Sequence, residues 1–95
     1  MPASSEVEIV LAAHLHARPA GAVVRAAAAF QSTIEIVYGE RRANARGVLG
    51  VMGLGATAGT TVVVRATGED ATEAANAIAA VLASDQSGSI GTARP

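Results

Sequence analysis

Ser5-Glu6-Val7-Glu8-Ile9-Val10-Leu11-Ala12-Ala13-His14-Leu15-His16-Ala17-Arg18-Pro19-Ala20-Gly21-Ala22-Val23-Val24-Arg25-Ala26-Ala27-Ala28-Ala29-Phe30 contains two hydrophobic periods in succession. Val7, Ile9 and Leu11 alternate with Glu6 and Glu8, the period of two of a half-buried strand. From residue 17 to residue 30 the period lengthens. Ala20, Val23, Val24, Ala27 and Phe30 fall on one face of a helix, and Arg18 and Arg25 lie opposite. Pro19 fits only the first turn, where its missing N–H breaks no helical bond. The junction, His16-Ala17-Arg18-Pro19-Ala20, places a histidine at the mouth of that helix.

Further along, Thr33 to Tyr38 is a strand with Ile34, Ile36 and Tyr38 on one face. Gly39-Glu40 can close a tight hairpin onto a third strand, Arg41 to Arg46, whose low apolar content suits an edge. Gly47 to Leu54 has the spacing of two helical turns. Thr60 to Ala66 is rich in β-branched residues and reads as a fourth strand. Asp70 is the expected N-cap of a last helix, with Glu73 three residues on in a capping-box-like pattern. Ala74, Ala77, Ile78, Val81 and Leu82 supply its apolar stripe. The order β-α-β-β-α-β-α predicts an α+β fold, a four-stranded antiparallel sheet with three helices on one face. The other face should be more polar or open to water.

The 95 residues make one small domain, expected over residues 1–84, with residues 85–95 a disordered, Ser- and Gly-rich tail. Phe30 and Tyr38 are its only aromatics, so the core must come from Val, Ile, Leu and packed Ala. Such a domain should have modest stability. Seven basic and eight acidic residues are scattered without a block of either sign, which argues against a nucleic-acid partner. No cysteine is present, excluding a disulfide framework and a thiolate metal site. The N-terminus lacks the features of a secretory signal. The uncharged run from Gly47 to Val64 is too interrupted by glycine and threonine for membrane insertion. A cytoplasmic monomer is expected.

A helix start offers unpaired N–H groups and partial positive charge, both favourable to a phosphate. A neutral imidazole at His16 would be the nucleophile that attacks a phosphoryl group. Arg18 adds a permanent cation able to grip phosphate oxygens bidentately, and Pro19 sets where the amides point. The same residues equally describe a surface histidine beside a solvated arginine; local pattern leaves both open. His14-Leu15-His16 could begin a metal site, but three or four ligands are needed and no third histidine exists, so no metal is expected. The glycines at 47, 50, 53, 55 and 59 lack a following Gly-Lys-Ser/Thr and a dinucleotide fingerprint. They suit turns and close packing, and no cofactor is expected.

If Gly47 to Leu54 is helical, Val48, Leu49 and Met52 share one face, and Val51 and Leu54 another. A helix packed on one side buries only one of them. The other is then an exposed patch, the usual mark of a partner surface, and methionine suits one that accepts several partners. The alternative is that all five are core.

His14-Leu15-His16-Ala17-Arg18-Pro19-Ala20 resembles the active-site motif of HPr, the histidine phosphocarrier family of the bacterial phosphoenolpyruvate–sugar phosphotransferase system. Gly47-Val48-Leu49-Gly50-Val51-Met52-Gly53-Leu54-Gly55 resembles the family's second signature, its short middle helix. The resemblance covers roughly residues 6–83. It implies the family's open-faced β-sandwich. It also implies phosphorylation of His16 on Nδ1 by enzyme I, transfer onward to an EIIA domain, and contact of Arg18 with the phosphate. Ala17 and Pro19 would help position that phosphate. Val51 and Leu54 would be core, while Val48, Leu49, Met52 and Arg25 would meet the partners. Such a carrier is stoichiometric rather than an enzyme.

The chain departs from the family pattern in three places. His14 stands where the family usually has glycine, and could hydrogen-bond phosphate or be a passive loop residue, the latter being the default expectation. Gly47 stands at the family's regulatory serine, so control by its kinase should be absent. Ala28 and Gly50 replace charge near the docking face. Two other readings remain: a carrier for a dihydroxyacetone kinase or nitrogen-regulatory branch, or a regulatory binding protein that is not phosphorylated.

Overall fold

The computed structural model describes residues 3–84; the tail expected over residues 85–95 lies outside them. The elements follow in the order β1 (Ala3–Val10), α1 (Ala17–Ala27), β2 (Thr33–Tyr38), β3 (Arg41–Asn44), α2 (Val48–Gly53), β4 (Thr61–Gly68) and α3 (Ala71–Ala83). The four strands form one antiparallel sheet in the order β1-β4-β2-β3. Tyr38 pairs with Arg41 across a two-residue turn, where Gly39 takes a φ of +60° that a side chain would disfavour.

The expected alternation is what puts the core on one side of the sheet. Ile34 and Ile36 of β2 and Val62, Val64 and Ala66 of β4 are buried, with Val7 and Ile9 of β1 packed beside them. Three helices cover that side. α3 lies over β1 and β4, α2 lies against β3, and α1 packs on both helices. Alanine dominates the helix contacts: Ala20 and Ala27 of α1 and Ala71, Ala74 and Ala75 of α3 are fully buried. Their small side chains let the helices approach closely, while Val23, Ile78 and Leu82 supply the bulk. Phe30 and Tyr38 pack only at the margin of this core.

The opposite face of the sheet mixes charged residues with Val10, Val37 and Val63. Arg65 of β4 pairs with Glu6 on β1 at 2.8 Å, and its other nitrogen lies 3.8 Å from Glu35 on β2. A solvated ion pair of this kind contributes only about 0–1 kcal/mol. It lies on the side of the strands away from the core and adds little to the stability of the fold.

Several boundaries differ from the sequence expectation. α1 ends at Ala27, not at residue 30. The N–H groups of Ala29 and Phe30 turn to the carbonyls three residues back, which tightens and closes the helix. Arg46 does not extend β3. Its guanidinium reaches the end of α1 and donates to the carbonyls of Ala27 at 3.1 Å, Ser32 at 3.0 Å and Phe30. A cation there adds donors to carbonyls at and just beyond the end of the helix and complements the negative end of its dipole. The buried stripe of α3 is Ala71, Ala74, Ala75, Ile78, Ala79 and Leu82, so Ala77 and Val81 sit only at its edge.

Asp70 occupies the N-cap position of α3, but its side chain makes no capping bond. Its carboxylate instead accepts from the N–H of Gln31 and Ser32 at 2.9 Å each and from the Ser32 hydroxyl at 2.5 Å. The hydroxyl bond, with the two amide bonds, holds this carboxyl below the usual carboxylate range. Ser32 is the one buried polar side chain among the described residues. Gly68 makes room for it. With φ at +148°, a methyl group on Gly68 would lie 2.5 Å from Ser32 Oγ and 2.8 Å from its Cα.

Candidate functional site

His16 is the N-cap of α1, in extended backbone with φ −87° and ψ −167°. Its carbonyl accepts the first helical bond, from Ala20 N–H at 3.0 Å. Pro19 therefore stands where no donor is required, and it is buried, fixing the start of the helix against the core. The amides of Ala17 and Arg18 have no acceptor within the helix. His16, Ala17 and Arg18 are all exposed. No hydrogen bond or ion pair engages the side chains of His16 or Arg18 among the described residues. The histidine thus stands on an open surface beside two free backbone donors and an uncommitted guanidinium. Among the described residues no cavity encloses it.

The loop carrying His16 is laced down from several sides. Leu11 N–H donates to Thr60 O at 2.9 Å, and Gly59 N–H returns a bond to Leu11 O at 2.9 Å. Ala12 N–H donates to Leu82 O at the end of α3. Leu15, itself buried, donates to Ala56 O at 3.1 Å. Ala56 follows closely on α2, so the histidine loop and the short helix are tied together. Gly55 and Gly59 turn this connecting segment with φ of +69° and +87°, in line with glycines placed for turns. Arg41 supports the same junction by donating to Leu54 O at 3.2 Å.

His14 is tied into the loop by two hydrogen bonds. Its Nδ1 accepts a hydrogen bond from Ala58 N–H at 3.0 Å, and its carbonyl accepts from His16 N–H at 2.9 Å. The sequence could not show the ring contact, because the partner lies 44 residues away and has no side-chain functional group. Ala56 and Ala58 escaped sequence reasoning for the same reason; the flanking glycines were the only signal. No third ligand joins His14 and His16, and no cluster of three metal-binding side chains occurs among the described residues.

α2 presents the two apolar faces that its spacing predicts, and packing chooses between them. Val51 is fully buried and Leu54 nearly so, whereas Val48, Leu49 and Met52 remain 38%, 79% and 37% exposed. Gly50 faces Ala43 on β3 at ordinary contact distance. Gly47 is the N-cap of α2 and carries no hydroxyl. Arg25 is exposed in the last turn of α1, its guanidinium lying back along the helix over Gly21. No helix among the described residues is long and apolar enough to cross a membrane.

Residues 3–84 match the family model described as the HPr component phosphorylation site of the phosphotransferase system. The phosphocarrier protein HPr of Mycoplasma capricolum is 38% identical over 64 residues, which span 67% of this chain and 72% of that protein. The crystal structure of HPr from Bacillus anthracis superposes with a TM-score of 0.78 at 30% identity, covering 84% of this chain and 98% of that one. The Bacillus subtilis catabolite repression protein Crh, crystallised as a swapped dimer, gives 0.69 at 37% identity, covering 80% and 87%. Fold, exposed histidine and these similarities agree: the chain belongs to the HPr family of phosphocarrier proteins of the phosphotransferase system.

Proposed function

We propose that His16 accepts a phosphoryl group on Nδ1 from phospho-enzyme I and passes it to an EIIA domain, in a cytoplasmic relay. The carrying observation is the exposed imidazole at the N-cap of α1, beside the unpaired amides of Ala17 and Arg18 and the free Arg18 guanidinium. The lone pair of Nδ1 attacks phosphorus. The bond from phosphorus to the donor atom breaks, and its electron pair stays with the donor. The negative oxygens then face the positive end of α1, where amide donors and Arg18 offset their charge. Pro19 keeps those amides in place. The acceptor reverses the step, so His16 is a substrate restored in each cycle and the chain is not an enzyme in its own right.

Partners of both kinds would seat on Val48, Leu49 and Met52, with Arg25 contributing charge. An apolar patch rimmed by polar surface suits transient docking with more than one protein. The carrier acts as a monomer in this reading. Without a hydroxyl at Gly47, phosphorylation of that site by a serine kinase has no acceptor.

The test is labelling with phosphoenolpyruvate and enzyme I. Acid-labile phosphate should appear on the natural protein and be absent from His16→Ala. Normal labelling of His16→Ala would overturn the assignment. Comparing transfer rates to EIIA domains of sugar, dihydroxyacetone kinase and nitrogen-regulatory systems identifies the branch served.

A further inference from the structure

His14 stands two residues before the phosphoryl acceptor, where the family usually has glycine, and it faces two partners at once. Its ring Nδ1 accepts from Ala58 N–H, and its carbonyl accepts from His16 N–H. A ring nitrogen that accepts a hydrogen bond carries no proton, so the neutral imidazole holds its proton on Nε2. Backbone bonds fasten the flanks of the two segments, Leu15 to Ala56 and Gly59 to Leu11. Between those flanks, at Ala58, the fastening is the His14 ring. A glycine at this position has no group that could make it.

We infer that His14 is a positioning residue for His16, its ring clamping the segment around Ala58 to the loop that presents the phosphoryl acceptor. The inference rests on the phosphocarrier reading of His16. The clamp acts through the His14 carbonyl, which holds the His16 amide and narrows the orientations its imidazole samples. Fewer unproductive orientations raise the rate of the transfer step. Docking is not affected, because the exposed patch on α2 contains neither residue. Global stability changes little, because the bond is exposed and backbone bonds hold both flanks.

Two measurements test this on the full chain, with His14→Ala, His14→Asn and His14→Gln compared with the natural protein. In phosphoryl acceptance from enzyme I, His14→Ala lowers the maximal rate about two- to tenfold, the worth of one net hydrogen bond, with KM unchanged. His14→Asn places an acceptor oxygen where Nδ1 sat and restores the rate; His14→Gln, reaching one bond too far, does not. In amide hydrogen exchange, His14→Ala speeds exchange at Ala58 and His16, and His14→Asn slows it again. An unchanged rate in His14→Ala, an effect on KM alone, or equal losses in the alanine and asparagine variants overturns the clamp. Should the natural protein take up no phosphate, the phosphocarrier reading fails by itself. Exchange then decides the clamp: faster exchange at His16 in His14→Ala supports it, and unchanged exchange refutes it.

Discussion

Leu49→Ala and Val51→Ala make the sharpest paired test of the docking face, because the residues are two apart on one short helix and face opposite ways. Leu49 is 79% exposed and Val51 is fully buried. Truncating leucine to alanine removes about three methylene-sized groups, each worth ~0.8 kcal/mol when taken out of water. Most of that surface is still wet in the free protein, so nearly all of the gain is left for a partner to collect. If the partner covers the side chain, the loss is about 1–2 kcal/mol, or roughly 5- to 30-fold in KM for enzyme I or EIIA. Folding stability should be within about 0.5 kcal/mol of the natural protein, as for an exposed substitution. Val51→Ala reverses the pattern. It opens a space beneath α2 and should cost about 1–3 kcal/mol of stability, with KM unchanged under conditions where the protein stays folded. Urea denaturation and steady-state phosphotransfer measure the two quantities on the same samples. A Leu49→Ala protein with natural KM for both partners would refute the docking role of this face. A large loss of stability in that variant would refute the claim that the side chain is free.

Gly68→Ala should destabilise by about 2–4 kcal/mol, combining overpacking with a backbone conformation that alanine resists; thermal or urea unfolding measures it. Gly53→Ala meets no atom within 4 Å, and its helical position makes it neutral or slightly stabilising in the same assay. Asp70→Asn probes the bonds to Gln31 and Ser32. The carboxyl pKa is lowered on folding, so its contribution is fully present above the unfolded value of about 3.9 and is lost as pH falls through the lower folded value. The stability gap between the natural protein and Asp70→Asn should therefore be constant near neutrality and shrink in acid; a gap that widens on acidification would contradict the sign. Arg46→Met keeps the aliphatic stem and removes the cation at the end of α1. It should cost about 1–2 kcal/mol, the worth of charged hydrogen bonds discounted for exposure, and speed amide exchange in the last turn of α1.

The elements, and the histidine among them, were legible in the chain because their signals are local. The change of period at His16 marks a strand giving way to a helix, and Pro19 can stand only in a first turn. Ile34, Ile36 and Tyr38 alternate because one side of a strand meets the core. The choice of face on α2 was not local. Val48, Leu49 and Met52 are as apolar as Val51 and Leu54, and only packing against β3 and α1 decides which set is covered. Three polar residues were settled in the same way. Asp70 had the pattern of a helix cap, yet Ser32, 38 residues distant, takes its carboxylate. Arg46 looked like the end of a strand, and it closes a helix 19 residues earlier. His14 looked idle until Ala58 lay beside it. Periodicity reports how each segment meets water and core, so sequence alone determined the elements and the place of His16 at the junction of two of them. A hydrogen bond needs two atoms within about 3 Å, and for residues so far apart along the chain only the tertiary structure brings them there.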